Sequence, residues 1–324
     1  MGRPLSLAVA GFFATGLAAG NVLAASWDMP TPYPDGNFHT KNIAQFAKEL
    51  DGATGGQIKI KIHSAGSLFK HKEIKGAVRK GLAPIGEVLI SLHTNESPIY
   101  GIDSVPFLAT SHDESRKLYA AQRPFLEKKL AEEGLTLLYS VPWPPQGLYS
   151  KREINAIGDL KGLKFRTYNV GTARIAELAG AAPVQIEVPD LPTAFATGRV
   201  DVMITSASTG VQSKAEEYLT HYYDTQAWLP RNVVFMSKKT YDTLSADQRK
   251  AVMAAAKAAE ERGWKASIEE MTIKTAALKK AGIKVQPPSP ALRDGLRKIG
   301  KTLSDDWAKS AGADGKVMLD AYAK

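Results

Sequence analysis

The chain has 324 residues, 44% hydrophobic and 23% charged, a composition that excludes a disordered protein and leaves room for two domains or one large one. The formal charge is +9, but lysines and arginines are spread along the chain rather than clustered, which argues against a nucleic-acid face. Cysteine is absent, so disulfides, thiol nucleophiles and thiolate metal sites are excluded.

Residues 1–24 read as a cleaved signal peptide. Arg3 supplies the positive start, Leu5 to Ala19 is apolar and small, and Val22-Leu23-Ala24 offers a small-residue cleavage site. The apolar run is short for a membrane span and no stop-transfer cluster follows it. The expected location is the periplasm, with the mature chain starting near Ala25.

Ile43, Phe46, Ala47 and Leu50 recur at helical spacing within Phe38 to Leu50, and glycines end that helix. "QIKIKIHS" alternates Ile58, Ile60 and Ile62 with lysines, the pattern of a strand with one buried face. A helix around His71 to Lys80 follows, and then the strand "PIGEVLISL". This alternation argues for parallel pairing covered by helices. "HDESRKLYAAQRPFLEKKLAEEG" is helical, with Pro124 expected to break or kink it. After the buried strand "LTLLYSV", the proline-rich "VPWPPQG" excludes regular structure and marks a crossing between domains.

A second α/β alternation comprises a strand at Leu163–Arg166, a helix from Thr172 to Ala179, "PVQI", a helix through Phe195, and the strand "VDVMIT". "NVVFMSK" is a further strand. Ser245-Ala246-Asp247-Gln248 is a capping box that opens a long helix, weak at Gly263 and ended by Gly282. The expected architecture is α/β of the periplasmic-binding-protein kind: two lobes with mixed, mostly parallel sheets, hinge strands and a long lobe-spanning helix. The first lobe takes residues 25–143 with 232–271, and the second takes 144–231 with 272–324.

Motifs for catalysis and cofactors are missing. There is no GxGxxG after a strand, no GxxxxGK[ST], no GxSxG and no HExxH, and no two of the six histidines stand at metal-ligand spacing on one helix. No cofactor or metal is expected. An exported two-lobed chain without such chemistry points to a binder rather than an enzyme.

One stretch is more specific. "IGDLKGLKFRTYNVGTARIAELAGAAPVQIEVPDLPTAFATGRVDVMI" resembles the central signature of the DctP-like solute-binding proteins of TRAP transporters. The matching residues are Asp159 to Lys164, Arg166, Gly180 to Val184, Ala194-Phe195, Thr197-Gly198 and Val200-Asp201. "SAGSLFKHKEI" and "SKKTYDTLSADQRKAV" resemble further stretches of the family, in order along the mature chain.

The resemblance implies capture of a small organic acid, with Arg166 pairing with its carboxylate. A guanidinium fork suits that role because it matches a carboxylate bidentately and stays charged. It also implies partners: the small and large integral membrane subunits of a TRAP transporter, driven by an ion gradient. A monomer is expected, with no nucleic-acid partner.

Departures bear on the solute. The family commonly has glycine and asparagine where Val202 and Thr205 stand, proline where Tyr168 stands, and a second arginine in the segment holding Leu148 and Tyr149. Losing that second cation argues against dicarboxylates and sialic acid. Aromatic residues crowd the expected lining: Tyr33, Phe38, Trp143, Tyr149, Tyr168 and Trp228, with Gln146 and Asn232 as polar neighbours. They suggest a monocarboxylate with an apolar or aromatic body. Glu87 and His93 are further candidates beside the first-lobe strand. Alternative readings are a binding protein of an ABC importer, an extracytoplasmic sensor partner, or a periplasmic enzyme on the same scaffold.

Overall fold

Alternating isoleucines and lysines build the first sheet. The structure, a computed structural model, describes residues 25–324, and the expected leader lies outside the described residues. β1 (Ala25–Pro30) runs through α1 (Phe38–Ala53) into β2 (Ile58–His63), and the two strands pair in parallel. Asn37 caps α1 by accepting from the His39 N–H at 2.9 Å, and Ile43, Phe46 and Leu50 bury its inner face. α2 (His71–Arg79), β3 (Ile85–Leu89) and a 3-10 turn over Ile90–His93 follow.

α3 (His112–Glu132) opens on a capping box between Ser111 and Glu114 and continues through Pro124 instead of breaking. The proline removes one helical hydrogen bond. Burial of Leu118, Tyr119, Gln122, Leu126 and Leu130 on both sides of it holds the helix together. β4 (Leu135–Pro142) and β5 (Gln146–Ser150) take in most of "VPWPPQG", so only 143–145 is irregular.

The second alternation is β6 (Lys164–Thr167), α4 (Val170–Leu178), β7 (Ala182–Gln185), α5 (Leu191–Ala196), β8 (Val202–Ser206) and α6 (Ala207–Gln212). β9 (His221–Tyr223), β10 (Arg231–Ser237) and α7 (Lys238–Thr243) lead into α8 (Ala246–Lys280). The Ser245 capping box starts α8, and Gly282 follows its end in a left-handed conformation with φ +96°. Gly263 does not weaken α8. A Cβ there would meet Val141 Cγ2 at 2.4 Å and Asn42 Nδ2 at 2.8 Å, so glycine lets α8 lie close against β4 and α1. β11 (Lys284–Gln286) and α9 (Pro290–Ala323), which turns at Gly312, complete the chain. β5, β9, β11, α6, α7 and α9 go beyond the elements expected from the sequence.

Among the described residues three sheets form: β1-β2, β3-β10-β4 and β11-β9-β5-β8-β6-β7. They are mixed. Among the described residues, the β1–β2, β9–β11, β6–β7 and β6–β8 ladders are parallel. The ladders of β10 with β3 and β4, and of β5 with β8 and β9, are antiparallel. The reason is the double crossing of the chain. β5 enters the second lobe from the first, β10 returns the other way, and each threads between strands of the sheet it joins. The crossings at 143–145 and 224–230 lie side by side, joined by Trp143 N–H to Pro230 O at 2.8 Å and Gln146 N–H to Trp228 O at 2.9 Å.

α8 spans about 50 Å. It packs on α1 and β4 of the first lobe and on α6 and β11 of the second. α9 also touches both lobes through α3 and α4. Apolar packing runs from Met29 and Phe46 through Trp143 and Trp228 to Leu148 and Phe165.

Candidate functional site

Strand ends from both lobes meet at a small cavity of about 30 Å³. Tyr33, His71, Leu89 and Trp143 line it from the first lobe. Gln146, Arg166, Tyr168, Glu187, Thr205 and Ser206 line it from the second. The lobes touch around it: Asn37 Nδ2 donates to Gln212 Oε1 at 2.8 Å, and Asn169 Nδ2 to Ser91 Oγ at 2.9 Å.

Arg166 stands near the end of β6 and is 1% exposed. Its Nε donates to Ile186 O at 2.9 Å, and the guanidinium lies 4.9 Å from the centre of the Tyr168 ring. Its terminal amino groups donate to no group among the described residues. Burial pulls its pKa down, and the Glu187 carboxylate opposes that pull. A buried cation with idle donors on a cavity wall is a costly arrangement that an incoming anion would relieve.

Behind the tyrosine runs a polar chain. Trp228 Nε1 donates to Tyr168 Oη at 3.2 Å, Tyr168 Oη donates to Gln146 Oε1 at 3.2 Å, and Gln146 Nε2 donates to Pro144 O at 2.9 Å. The ring against Arg166 is thereby tied to both crossings.

The facing wall is held by Asn232. Its Oδ1 accepts from Trp143 Nε1 at 2.8 Å and Tyr33 Oη at 3.2 Å, and its Nδ2 donates to Glu87 Oε1 at 2.9 Å. Thr31 Oγ1 donates to the other Glu87 oxygen at 2.6 Å. Burial pushes the Glu87 carboxyl up to about 7 despite these hydrogen bonds. Beside it, burial holds the His39 imidazole well below its ordinary range.

Of the residues expected from the sequence, Arg166, Tyr168, Trp143, Gln146, Thr205 and Tyr33 come together on the cavity wall. Glu87, Asn232 and Trp228 stand behind it as the supports just described. Phe38 packs edge-on against Trp143, with ring centres 5.3 Å apart. Tyr149 is a correction. It is three positions from Gln146 on β5, so strand alternation turns it to the opposite face. There it packs against Tyr222 at 4.5 Å and donates to Ser206 O at 3.2 Å. His93 pairs with Glu96 at 2.6 Å and is not on the cavity wall.

His71 and Glu187 were not expected at the site. His71 Nδ1 lies 3.2 Å from Glu187 Oε2, bridging the lobes. The Leu89 N–H donates to His71 Nε2 at 2.9 Å, so the ring proton sits on Nδ1 and donates to Glu187. Burial alone would raise Glu187, but its pairing with His71, then the Arg166 charge and a hydrogen bond from Gln185, outweigh it and hold the carboxyl below its ordinary range. The only signal for His71 lay in "SAGSLFKHKEI"; Glu187 lies within the family-like stretch, with nothing local to distinguish it from a surface acid.

Among the described residues, no cluster of three His, Asp or Glu side chains could hold a metal ion, and no helix is long and apolar enough to cross a membrane.

Comparison with known proteins bears on this architecture. Residues 31–310 match the sequence model of DctP, bacterial extracellular solute-binding protein family 7. The chain is similar to the crystal structure of DctP6, a Bordetella pertussis extracytoplasmic solute receptor binding pyroglutamic acid. Identity is 48% and the TM-score 0.91, over 92% of this chain and 99% of that one. It is also similar to a marine metagenome TRAP solute-binding protein specific for pyroglutamate, at 43% identity and TM-score 0.91, over 93% of this chain and 99% of that one. A solute-binding protein of Albidiferax ferrireducens is 27% identical over 256 residues, which is 78% of this chain and 75% of the relative. The family match over most of the chain, on a two-lobed fold shared with these receptors, identifies the chain as a member of the DctP family of extracytoplasmic solute receptors of TRAP transporters.

Proposed function

We propose that this receptor captures a small cyclic monocarboxylate of the pyroglutamate type, with Arg166 pairing with the carboxylate. The observation that carries the reading is the buried Arg166 guanidinium, whose terminal donors face the cavity without a partner. The pyroglutamate-binding relatives at 48% and 43% identity support the choice of acid. The small size of the cavity favours a compact ring over the larger aryl body expected from the aromatic count, and Gln146, Thr205, Ser206 and Glu187 set hydrogen-bonding groups into an otherwise mostly apolar wall. Tyr33, Trp143 and Tyr168 then act as rigid walls, held by their own hydrogen bonds.

In this reading, residues 25–143 with 232–271 and residues 144–231 with 272–324 form the two lobes that close about the crossings. Closure expels water and completes the hydrogen bonds of the buried ion pair. The chain is exported with residues 1–24 removed, works as a monomer, and delivers its solute unchanged to the small and large membrane subunits of a TRAP transporter.

The test is calorimetric titration of residues 25–324 with L-pyroglutamate, alongside a thermal-shift panel containing succinate and indole-3-acetate. Saturable binding of pyroglutamate, with the bound acid recovered unchanged, is expected. A larger shift with succinate or the aryl acid, or no response to pyroglutamate, overturns the choice of solute. Arg166→Lys, which keeps the charge but loses the fork, is expected to weaken binding by about ten- to a hundredfold.

A further inference from the structure

Arg166 is not alone on its wall. Glu187 follows Ile186, the residue whose carbonyl anchors Arg166 Nε, so the carboxylate and the guanidinium come from adjoining stretches of the second lobe and both line the cavity. His71 occupies Oε2 of Glu187 and has no proton to spare, since its Nε2 already accepts from Leu89. The wall therefore offers a cationic donor beside an anionic acceptor. A solute bearing only a carboxylate would satisfy the first and press an apolar surface against the second.

We infer that Glu187, positioned by His71, is the specificity-determining residue of this site, selecting acids that carry an N–H or O–H donor next to the carboxylate and rejecting a second carboxylate. The inference rests on the reading of Arg166 as the carboxylate anchor and states what else the solute must present. A lactam acid meets both requirements: its carboxylate faces Arg166 and its ring N–H faces Glu187. An acid whose second carboxylate approached Glu187 would meet a like charge held in place by His71. An isostere without the donor would face the Glu187 oxygen that His71 does not take with no hydrogen to give it once the lobes close, a penalty larger than the worth of the bond itself. The pair also joins the lobes, so the selecting group is set in position by closure.

The experiment compares L-pyroglutamate with its lactone analogue, in which the ring oxygen replaces the N–H, and with glutarate, on the wild type and on Glu187→Gln. In the wild type the lactam is expected to bind at least about tenfold more tightly than the lactone, with glutarate silent. Glu187→Gln keeps the shape and can turn its amide N–H towards the solute. It is expected to bring the lactam-to-lactone ratio close to one and to admit glutarate. Equal affinities for lactam and lactone in the wild type, or a ratio unchanged in the variant, overturn the inference while leaving Arg166 as anchor. The wild-type comparison decides even if the variant fails to fold. Failure of all three acids to bind the wild type overturns the Arg166 reading and this inference with it.

Discussion

Arg166 and Arg231 are equally hidden, each 1% exposed, yet their surroundings differ in kind. Both lie against a tyrosine, Arg166 at 4.9 Å from the Tyr168 ring and Arg231 at 5.1 Å from the Tyr119 ring. In both, burial pulls the pKa down against a nearby carboxylate, Glu187 or Asp103. Around Arg231, however, protein groups take both terminal nitrogens, and only its buried Nε finds no acceptor. Its terminal nitrogens donate to Gln122 and Ser115, and Asp103, itself buried, accepts from its backbone N–H at 2.8 Å. Around Arg166, one carbonyl takes Nε and the remaining donors face a cavity. A buried guanidinium whose terminal nitrogens are taken by protein acceptors belongs to the architecture, and one whose terminal nitrogens stay free on a cavity wall marks a binding site.

The largest effect that could break this contrast is on affinity. Arg166→Ala should raise the Kd for pyroglutamate by about a thousandfold or more, into loss of detectable heat, because the solute carboxylate would be buried without its partner. The melting temperature of the empty protein should stay the same or rise, since a poorly compensated charge has been removed. Calorimetry and a thermal melt check both halves, and retained affinity would break the contrast at its functional end.

Arg231→Ala should act in the opposite sense. It strips Gln122 and Ser115 of a buried donor and removes the positive charge that favours ionised Asp103, at a cost of roughly 2–4 kcal/mol of stability, while the folded fraction keeps its affinity. Urea denaturation followed by fluorescence measures this, and a wild-type midpoint would show that the enclosed arginine is not structural after all.

A smaller effect concerns the wall opposite Arg166. Glu87 has its carboxyl raised from the ordinary 4.5 to about 7 by burial. Below about pH 4.5 it is protonated in both folded and unfolded chains. Between there and about pH 7 the folded chain keeps a proton that the unfolded chain has released, so rising pH costs stability, by roughly 3 kcal/mol at most across that window. Above it the contribution is constant. Glu87→Gln should remove this part of the pH dependence of stability, measured by denaturation from pH 4 to 8. A variant curve parallel to the wild type would rule out Glu87 as its source.

Much of the fold was legible residue by residue. The Ile58–Ile60–Ile62 alternation, the Ser245 capping box and the Gly282 stop act within a few positions, and each became the element it signals. Pro124 misled because its lost hydrogen bond is outweighed by side chains packed from elsewhere. β5 could not be seen as a strand because it follows directly on Pro142, Pro144 and Pro145 and offers only Leu148 and Tyr149 as an apolar run. α9 carries Leu292, Leu296, Ile299, Leu303 and Trp307 near helical spacing, so its helicity was available locally, but its reach across both lobes was not. In the site, Arg166 was legible through its family-like setting. Tyr149 was not, because its distance from the crossing did not reveal the face it would take.

By itself the sequence determined the succession of helices and strands, the family-like stretch and the arginine within it, since all of these depend on residues close together in the chain. Tertiary structure alone decided that His71 meets Glu187 across 116 positions, that Asn232 gathers Tyr33, Trp143 and Glu87, and that Arg166 opens onto space while Arg231 does not. The physical reason is that periodicity and capping are set by near neighbours, whereas a cavity and the charges on its wall are set by where a twice-crossing chain brings distant strand ends together.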